Sequence, residues 1–131
     1  MKILILGSGG VGGYFGARLI EIGVNVTFFV KKKRASLIKN NGINVESPHG
    51  NLHINAQTLS IGEDKQEFDL VILTCKAYDL ESSLNDLVSV LSRTPIFLPL
   101  LNGISHIDYL RNRFGKDKVL GGAAHIASVL T

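Results

Sequence analysis

The chain has few of the residues that mark secreted, metal-binding and membrane proteins. Its 131 residues include a single cysteine, Cys75, which excludes an internal disulfide and a zinc site built on several cysteines. No apolar run approaches the roughly 20 residues of a membrane helix, and the run at residues 3–6 is too short for the core of a signal peptide. These absences favour a cytoplasmic protein without a membrane partner. The four histidines, at positions 49, 53, 106 and 125, lack metal-ligand spacing, so no metal site is predicted.

Charge is also scarce and unevenly placed. Charged residues make up 19% of the chain and hydrophobic residues 45%, a balance that predicts a packed core and excludes a disordered chain. Much of the net charge of +3 comes from the run 31–34, which is Lys-Lys-Lys-Arg. Such a run is most often a solvated surface. Nucleic acid is a poor partner for it, because the run is short and no aromatic residue follows it.

What is present is an alternation of apolar strands and amphipathic helices. The predicted strands are residues 2–6, 24–30, 70–74, 96–101 and a further one from 119, and the predicted helices are 11–22, 34–39, 80–91 and 104–114. In the first helix, Val11, Phe15, Leu19 and Ile22 share one face, and Gly23 is expected to end it. The segments 43–46 and 52–59 do not look like buried parallel strands, so they are predicted to form an antiparallel insertion.

Strand–helix alternation predicts a parallel sheet with helices on both faces, because parallel strands need crossover connections. The length of 131 residues fits one domain. The predicted fold is therefore a Rossmann-type doubly wound α/β domain over residues 1–131, with a small antiparallel insertion near 43–59.

A glycine-rich segment joins the first strand to the first helix. Residues 7–12, Gly-Ser-Gly-Gly-Val-Gly, match G-x-G-x-x-G, a pattern that predicts dinucleotide binding when it lies between a strand and a helix. Gly7 allows the tight turn, Gly9 lets a diphosphate approach the backbone, and Gly12 allows close helix–strand packing. The N–H groups of Ser8, Gly10 and Val11 would then face the phosphates at the helix start. The alternative is a glycine-rich turn without a ligand.

The end of the second strand predicts which dinucleotide binds. An NAD site usually has Asp or Glu there, which bonds the adenosine ribose 2′-hydroxyl. Here that position falls near Val30 and Lys31, and the basic run replaces the acid. Lys31 and Arg34 are best placed to hold a 2′-phosphate, so the predicted cofactor is NADP(H).

Three segments together resemble the ketopantoate reductases (2-dehydropantoate 2-reductases). They are "MKILILGSGGVGGYFGARL" at the start, "CKAYDLESSL" at 75–84 and "PLLNGISHIDYL" at 99–110. The resemblance covers essentially the whole chain and corresponds to the family's N-terminal nucleotide-binding half. It implies an NADPH-dependent enzyme of pantothenate synthesis.

The resemblance also assigns residues. Lys76 matches the family lysine beside the nicotinamide, and Asn102 matches the asparagine that lines the same cleft. Lys31 stands where the family usually has an arginine for the 2′-phosphate, a change that keeps the charge but loses the bidentate fork. Both Lys76 and Asn102 follow predicted parallel strands, where such sheets bind ligands. Read alone, Lys76 could be an exposed lysine at a helix start, and Asn102-Gly103 a turn.

The resemblance implies hydride transfer from NADPH to the C2 carbonyl of a small 2-keto acid, ketopantoate, to give pantoate. The proton donor and a carboxylate that binds substrate belong, in the family, to a C-terminal helical substrate and dimerisation domain that this chain does not include. The expectation is an NADP(H)-binding domain that is inactive by itself and can form a homodimer through exposed edges. The alternatives are a non-enzymatic NADP-binding redox sensor, or the nucleotide domain of another 2-keto acid or hydroxyacyl reductase.

Overall fold

Strands and helices alternate along the computed structural model, which describes residues 1–6, 10–45, 51–74, 80–100 and 104–120. In chain order its elements are β1 (Lys2–Leu6), α1 (Gly10–Glu21), β2 (Asn25–Phe29), α2 (Lys32–Asn41), β3 (Ile43–Val45), β4 (Leu52–Ile54), β5 (Gln57–Leu59), β6 (Leu70–Leu73), α3 (Leu80–Val88), β7 (Ile96–Pro99) and α4 (Ile104–Phe114). A short 3-10 helix, Lys116–Lys118, follows α4.

Five strands form one sheet in the order β5-β2-β1-β6-β7. Every pairing in this sheet is parallel. β3 and β4 form a separate antiparallel pair, with Ile43 opposite Ile54. The predicted Rossmann-type fold with a small antiparallel insertion is confirmed.

Helices cover both faces of the parallel sheet. On one face, α1 and α2 contribute Leu19 and Ile38 to an apolar core. On the other face, α3 and α4 contribute Leu84 and Leu110. Successive residues of β1 belong to the two cores in turn, as the period of a strand requires. A strand buried on both faces must be apolar throughout, which explains the unbroken aliphatic run at residues 3–6.

One part of the predicted insertion is wrong. Residues 57–59 form β5, which pairs in parallel with β2 and places Leu59 opposite Phe29. The insertion is therefore limited to β3 and β4. The sequence Gln57-Thr58-Leu59 is short and half polar, because β5 lies at the edge of the sheet and buries only Leu59 fully.

Two helices end earlier than predicted. α1 ends at Glu21, so Ile22 lies outside it and is 69% exposed. Gly23 adopts a φ of +90° and donates its N–H to the carbonyl of Ile20, which confirms it as the residue that ends this helix. α3 ends at Val88, and Leu91 reaches the core from beyond the helix.

The first residues of the strand predicted from residue 119 pair with β7. Val119 forms a parallel bridge with Phe97 of β7, and the N–H of Leu120 donates to the carbonyl of Phe97 over 2.9 Å. The rest of that predicted strand lies outside the described residues.

Candidate functional site

The strand order reverses beside β1. From β1 the chain builds β2 and β5 on one side, and then returns to build β6 and β7 on the other. Open α/β sheets bind ligands outside the carboxyl ends of their strands at such a reversal. Leu6 and Leu73, the last residues of β1 and β6, are direct partners there. The glycine-rich segment follows Leu6 immediately in the sequence, so the topology gives it the position that a dinucleotide site requires.

A threonine that sequence reasoning missed joins the two strand ends at this reversal. The hydroxyl of Thr74 donates a hydrogen bond of 2.7 Å to the carbonyl of Leu6. The N–H of Leu100 donates to the carbonyl of Leu73 over 2.9 Å. These bonds hold the ends of β1, β6 and β7 together. The only signal in the sequence was a hydroxyl residue closing an apolar strand.

Helix α1 lies very close to the sheet. A Cβ on Gly16 would stand 2.6 Å from Phe28 Cε1 and 2.9 Å from Ile5 Cδ1, which is closer than packed carbon atoms approach. The helix and the sheet therefore approach each other closely at Gly16. The first turn of α1 comprises Gly10, Val11 and Gly12 and carries no acidic residue, so no carboxylate opposes an anion at this helix start.

The second candidate segment follows β2. Val30 is buried, and its N–H donates to the carbonyl of Leu59 over 3.1 Å. Lys31 is the extended residue before α2, and its carbonyl accepts the first helical bond, from the N–H of Ala35. α2 begins at Lys32, two residues before the predicted start, so the basic run lies at and within the first turn.

The electrostatics of this turn are unfavourable without an anion. Lys31, Lys32, Lys33 and Arg34 are all exposed, and the first turn of α2 has no acidic residue. A helix N-terminus carries partial positive charge, and a favourable charge there is worth about 0.3–1 kcal/mol. Cations at this end therefore oppose the helix dipole, whereas a phosphate bound there would interact favourably with both the dipole and the positive charges.

The fold brings the two segments to the same edge of the sheet. Leu6 and Phe29, the last residues of β1 and β2, are paired in register. The chain that leaves β1 enters α1 at Gly10, and the chain that leaves β2 reaches Lys31 two residues later. Adjacent parallel strands are about 4.8 Å apart. The glycine segment and the basic turn therefore start from neighbouring strand ends.

Several predicted site residues lie outside the described residues. They are Gly7, Ser8, Gly9, Lys76 and Asn102. Their assignment stays a prediction. The strands that precede Lys76 and Asn102 end where the prediction needs them, at Leu73 and Pro99 on the same edge.

The described residues contain no group of three or more His, Cys, Asp or Glu that could hold a metal ion. His53 lies on β4, is exposed, and has its Nδ1 2.5 Å from Asn44 Oδ1. In the same part of the chain, no helix is long and apolar enough to cross a membrane.

Comparison with known proteins decides the family. The family model described as "Ketopantoate reductase PanE/ApbA" matches residues 3–131. The chain belongs to this family. A relative in Bacillus subtilis, the uncharacterized oxidoreductase YkpB, is 42% identical over 99% of the chain. A 2-dehydropantoate 2-reductase of Pyrococcus horikoshii is 34% identical over 99% of the chain.

A solved structure shares the fold of this family domain. It is D-mandelate dehydrogenase in a ternary structure with NADH and anilino(oxo)acetate, and it matches 91% of the chain and 39% of its own length, with a TM-score of 0.78 at 29% identity. The chain spans 43% of YkpB and 42% of the Pyrococcus enzyme. It therefore corresponds to less than half of these relatives and matches the family's N-terminal domain.

Proposed function

We propose that this chain is the NADP(H)-binding domain of a ketopantoate reductase-like oxidoreductase. The observation that carries the proposal is the basic first turn of α2 at the carboxyl end of β2, beside the glycine segment that follows β1. Family membership adds the reaction class. In that reaction a hydride passes from the reduced cofactor to the C2 carbonyl of a 2-keto acid, as in the conversion of ketopantoate to pantoate.

The described residues fit a cofactor with a 2′-phosphate. An NAD site would have a carboxylate near the end of β2, and the residues from Val30 to Arg34 contain none. Lysine and arginine form short, charge-assisted hydrogen bonds with phosphate oxygens. Lys31 and Arg34 are the residues to which we assign these bonds. Gly10, Val11 and Gly12, in the first turn of α1, would receive the diphosphate together with Gly7, Ser8 and Gly9.

Two polar residues of the chain are proposed to lie at the nicotinamide end of the cofactor, where the substrate reacts. Lys76 follows β6, the strand that pairs with β1 at the reversal in strand order, and Asn102 follows β7, the next strand outward. A lysine there would orient a carboxylate or carbonyl of the substrate, and an asparagine amide would donate to the same group. We assign both residues to the substrate side of the nicotinamide.

The remaining groups that reduction needs are proposed to lie in a second domain. A keto acid that accepts a hydride also needs a proton for the new alkoxide. The relatives are more than twice as long as this chain, and we assign the proton donor, the carboxylate that binds the substrate and the dimer contact to that further length. The 131-residue chain is then expected to bind NADP(H) without reducing a keto acid.

A second candidate is the nucleotide domain of an NADH-dependent 2-keto acid reductase. The observation that favours it is the structural likeness to D-mandelate dehydrogenase, which was solved with NADH. The two candidates differ in the cofactor that they prefer. The basic turn favours NADPH, because NADH has no phosphate for these cations to bind.

The test reverses one charge of the basic turn. Lys31→Glu should weaken NADPH binding roughly tenfold or more, since a hydrogen bond to a charged group is worth about 1.5–3 kcal/mol. NADH binding should change less than about threefold, because only NADPH has the 2′-phosphate. Calorimetric titration of the purified chain with each cofactor measures both dissociation constants.

The matched control is Lys39→Glu. Lys39 is an exposed lysine in the last turn of the same helix, so the control makes the same change in net charge at the opposite end of α2. It should leave the NADPH dissociation constant nearly unchanged. Equal weakening of NADPH and NADH by Lys31→Glu would contradict the proposed site.

A further inference from the structure

A buried serine forms a hydrogen bond with the main chain directly after β2. Ser60 directly follows β5 and is 1% exposed. Its hydroxyl donates a 2.6 Å hydrogen bond to the carbonyl of Val30. That carbonyl belongs to the peptide bond that joins Val30 to Lys31, so the serine fixes the main chain immediately before the basic turn.

This bond takes the place of a sheet hydrogen bond. β2 and β5 pair in parallel up to Phe29 and Leu59, and the N–H of Val30 still donates to the carbonyl of Leu59. After Ser60, the segment that follows β5 turns away from β2, and the N–H of Glu63 donates back to the carbonyl of Ser60 over 3.2 Å. Within the part of the chain that the structure describes, no N–H from a neighbouring strand donates to the Val30 carbonyl, and the Ser60 hydroxyl donates to it instead.

The serine is itself held by a side chain of the same turn. The N–H of Ser60 donates to a carboxylate oxygen of Glu63. Ser60 therefore has its N–H, its carbonyl and its hydroxyl all engaged in hydrogen bonds. A buried carbonyl that loses its donor is left unsatisfied, which is unfavourable, so the Val30–Lys31 peptide would move if the hydroxyl were removed.

We infer that Ser60 is a positioning residue for the 2′-phosphate site, and that it sets the preference for NADPH over NADH. The inference rests on the proposed function. Charge-assisted hydrogen bonds are effective at about 2.7–2.9 Å, so a small displacement of the main chain at Lys31 weakens them. NADH does not use these bonds, and its binding does not depend on the position of Lys31.

The same two strands supply a matched control. Thr27 of β2 is the other buried hydroxyl residue among those described, and its hydroxyl donates to Gln57 Oε1 of β5 over 3.2 Å. This bond links the same strands as the Ser60 bond, but at the end away from the basic turn. Thr27→Val removes it with little change in shape.

The experiment compares Ser60→Ala with Thr27→Val by calorimetric titration with NADPH and with NADH. Ser60→Ala should raise the NADPH dissociation constant roughly three- to tenfold, the range expected for one lost hydrogen bond. It should leave the NADH constant within about twofold, whereas a serine that only stabilises the fold would affect both constants alike. Thr27→Val should leave the ratio of the two constants unchanged, although thermal unfolding should show a lower melting temperature for this variant.

The possible results separate the inference from the proposed function. If the unchanged protein binds NADPH no better than NADH, the proposed function fails and this inference fails with it. If the unchanged protein prefers NADPH and Ser60→Ala keeps the full preference, only the role of Ser60 is overturned. An equal loss of preference in Ser60→Ala and Thr27→Val also overturns it. Should Ser60→Ala not fold, Ser60→Cys, which keeps a weaker donor, must lower the preference, or the inference is overturned.

Discussion

At the scale of single residues, Asp69 joins three segments at the amino edge of the sheet. Its carboxylate accepts hydrogen bonds from the N–H of Lys2, over 2.7 Å, and from Arg93 Nη2, over 2.8 Å. Its own N–H donates to the carbonyl of Lys2 over 2.8 Å. The hydrogen bond from the Lys2 N–H, and to a lesser degree Arg93, lowers the pKa of the Asp69 carboxyl below its usual value. Asp69 thus lies on the side of the sheet away from the candidate site.

The lowered pKa predicts how stability depends on pH. Because the folded protein holds the charged form, the contribution of Asp69 is complete above the pKa of an unfolded aspartate, about 3.9. It is lost as the pH falls through the lower folded pKa. Asp69→Asn should therefore lower the melting temperature at pH 7, and this difference from the unchanged protein should shrink below about pH 4. Thermal unfolding followed by circular dichroism from pH 7 to pH 2.5 measures it.

Asp108→Asn is the control for this series. Asp108 is an exposed carboxylate on α4, and its substitution removes the same charge. Its melting temperature should stay close to that of the unchanged protein at pH 7. A difference for Asp69→Asn that is constant across the whole pH range would contradict the assigned hydrogen bonds.

Lys76 carries the catalytic prediction at this scale. In a protein that contains this chain together with the rest of a family member's length, Lys76→Ala should abolish reduction of the keto acid and leave the NADPH dissociation constant within a few-fold. The reason is that Lys76 is assigned to the substrate rather than to the phosphates. Lys65→Ala, which removes an exposed lysine before β6, should keep its turnover. Surviving turnover in Lys76→Ala would refute the assignment.

The residues that sequence reasoning found and those that it missed differ in kind. Lys31 and Arg34 were predicted because charge at a particular strand end has a chemical meaning by itself. Thr74 and Ser60 were missed because a hydroxyl residue gains its role from the carbonyl that it meets. Leu6 is 68 positions from Thr74, and Val30 is 30 positions from Ser60. No local pattern encodes such a contact.

At the scale of elements, the same contrast holds. β1 was predicted with its observed bounds, because a strand covered on both faces has a continuous aliphatic sequence. β5 was assigned to the wrong sheet, because an edge strand of three residues has no such signature. Its place depends on the pairing of Leu59 with Phe29. Ile22 continued the helical period but lies beyond the end of α1, since Gly23 ended the helix first.

The close packing of α1 on the sheet at Gly16 leads to a prediction about stability. Alanine favours a helix over glycine by about 1 kcal/mol, so Gly16→Ala would stabilise an isolated helix. In the fold, the added methyl group would meet the ring of Phe28 and the side chain of Ile5. Overpacking of this kind costs about 1–3 kcal/mol. Gly16→Ala should therefore lower the free energy of unfolding, measured by urea denaturation.

Ser82→Ala serves as the reference for that measurement. Ser82 is exposed on α3, where alanine adds helix propensity without a packing contact. It should leave the stability equal or slightly higher. An increase in stability in Gly16→Ala of the same size would show that α1 does not lie as close to the sheet as the structure has it.

At the scale of the whole molecule, the order β5-β2-β1-β6-β7 organises the candidate site. Strand–helix alternation in the sequence predicted a parallel sheet covered on both faces. The reversal beside β1 then places the ends of β1, β2 and β6 at one edge. The glycine segment, the basic turn and the segment that contains Lys76 each follow one of these strands. The chain segments that leave these strands therefore start from the same edge of the sheet, although they are far apart in the sequence.

The central claim is that cations at the end of β2 hold the 2′-phosphate of the cofactor. The most direct test is to titrate the unchanged chain with NADPH and with NADH at the same ionic strength and to compare the dissociation constants. We predict that NADPH binds tighter by roughly tenfold or more, the value of one charged hydrogen bond. Equal constants, or tighter binding of NADH, would contradict the claim.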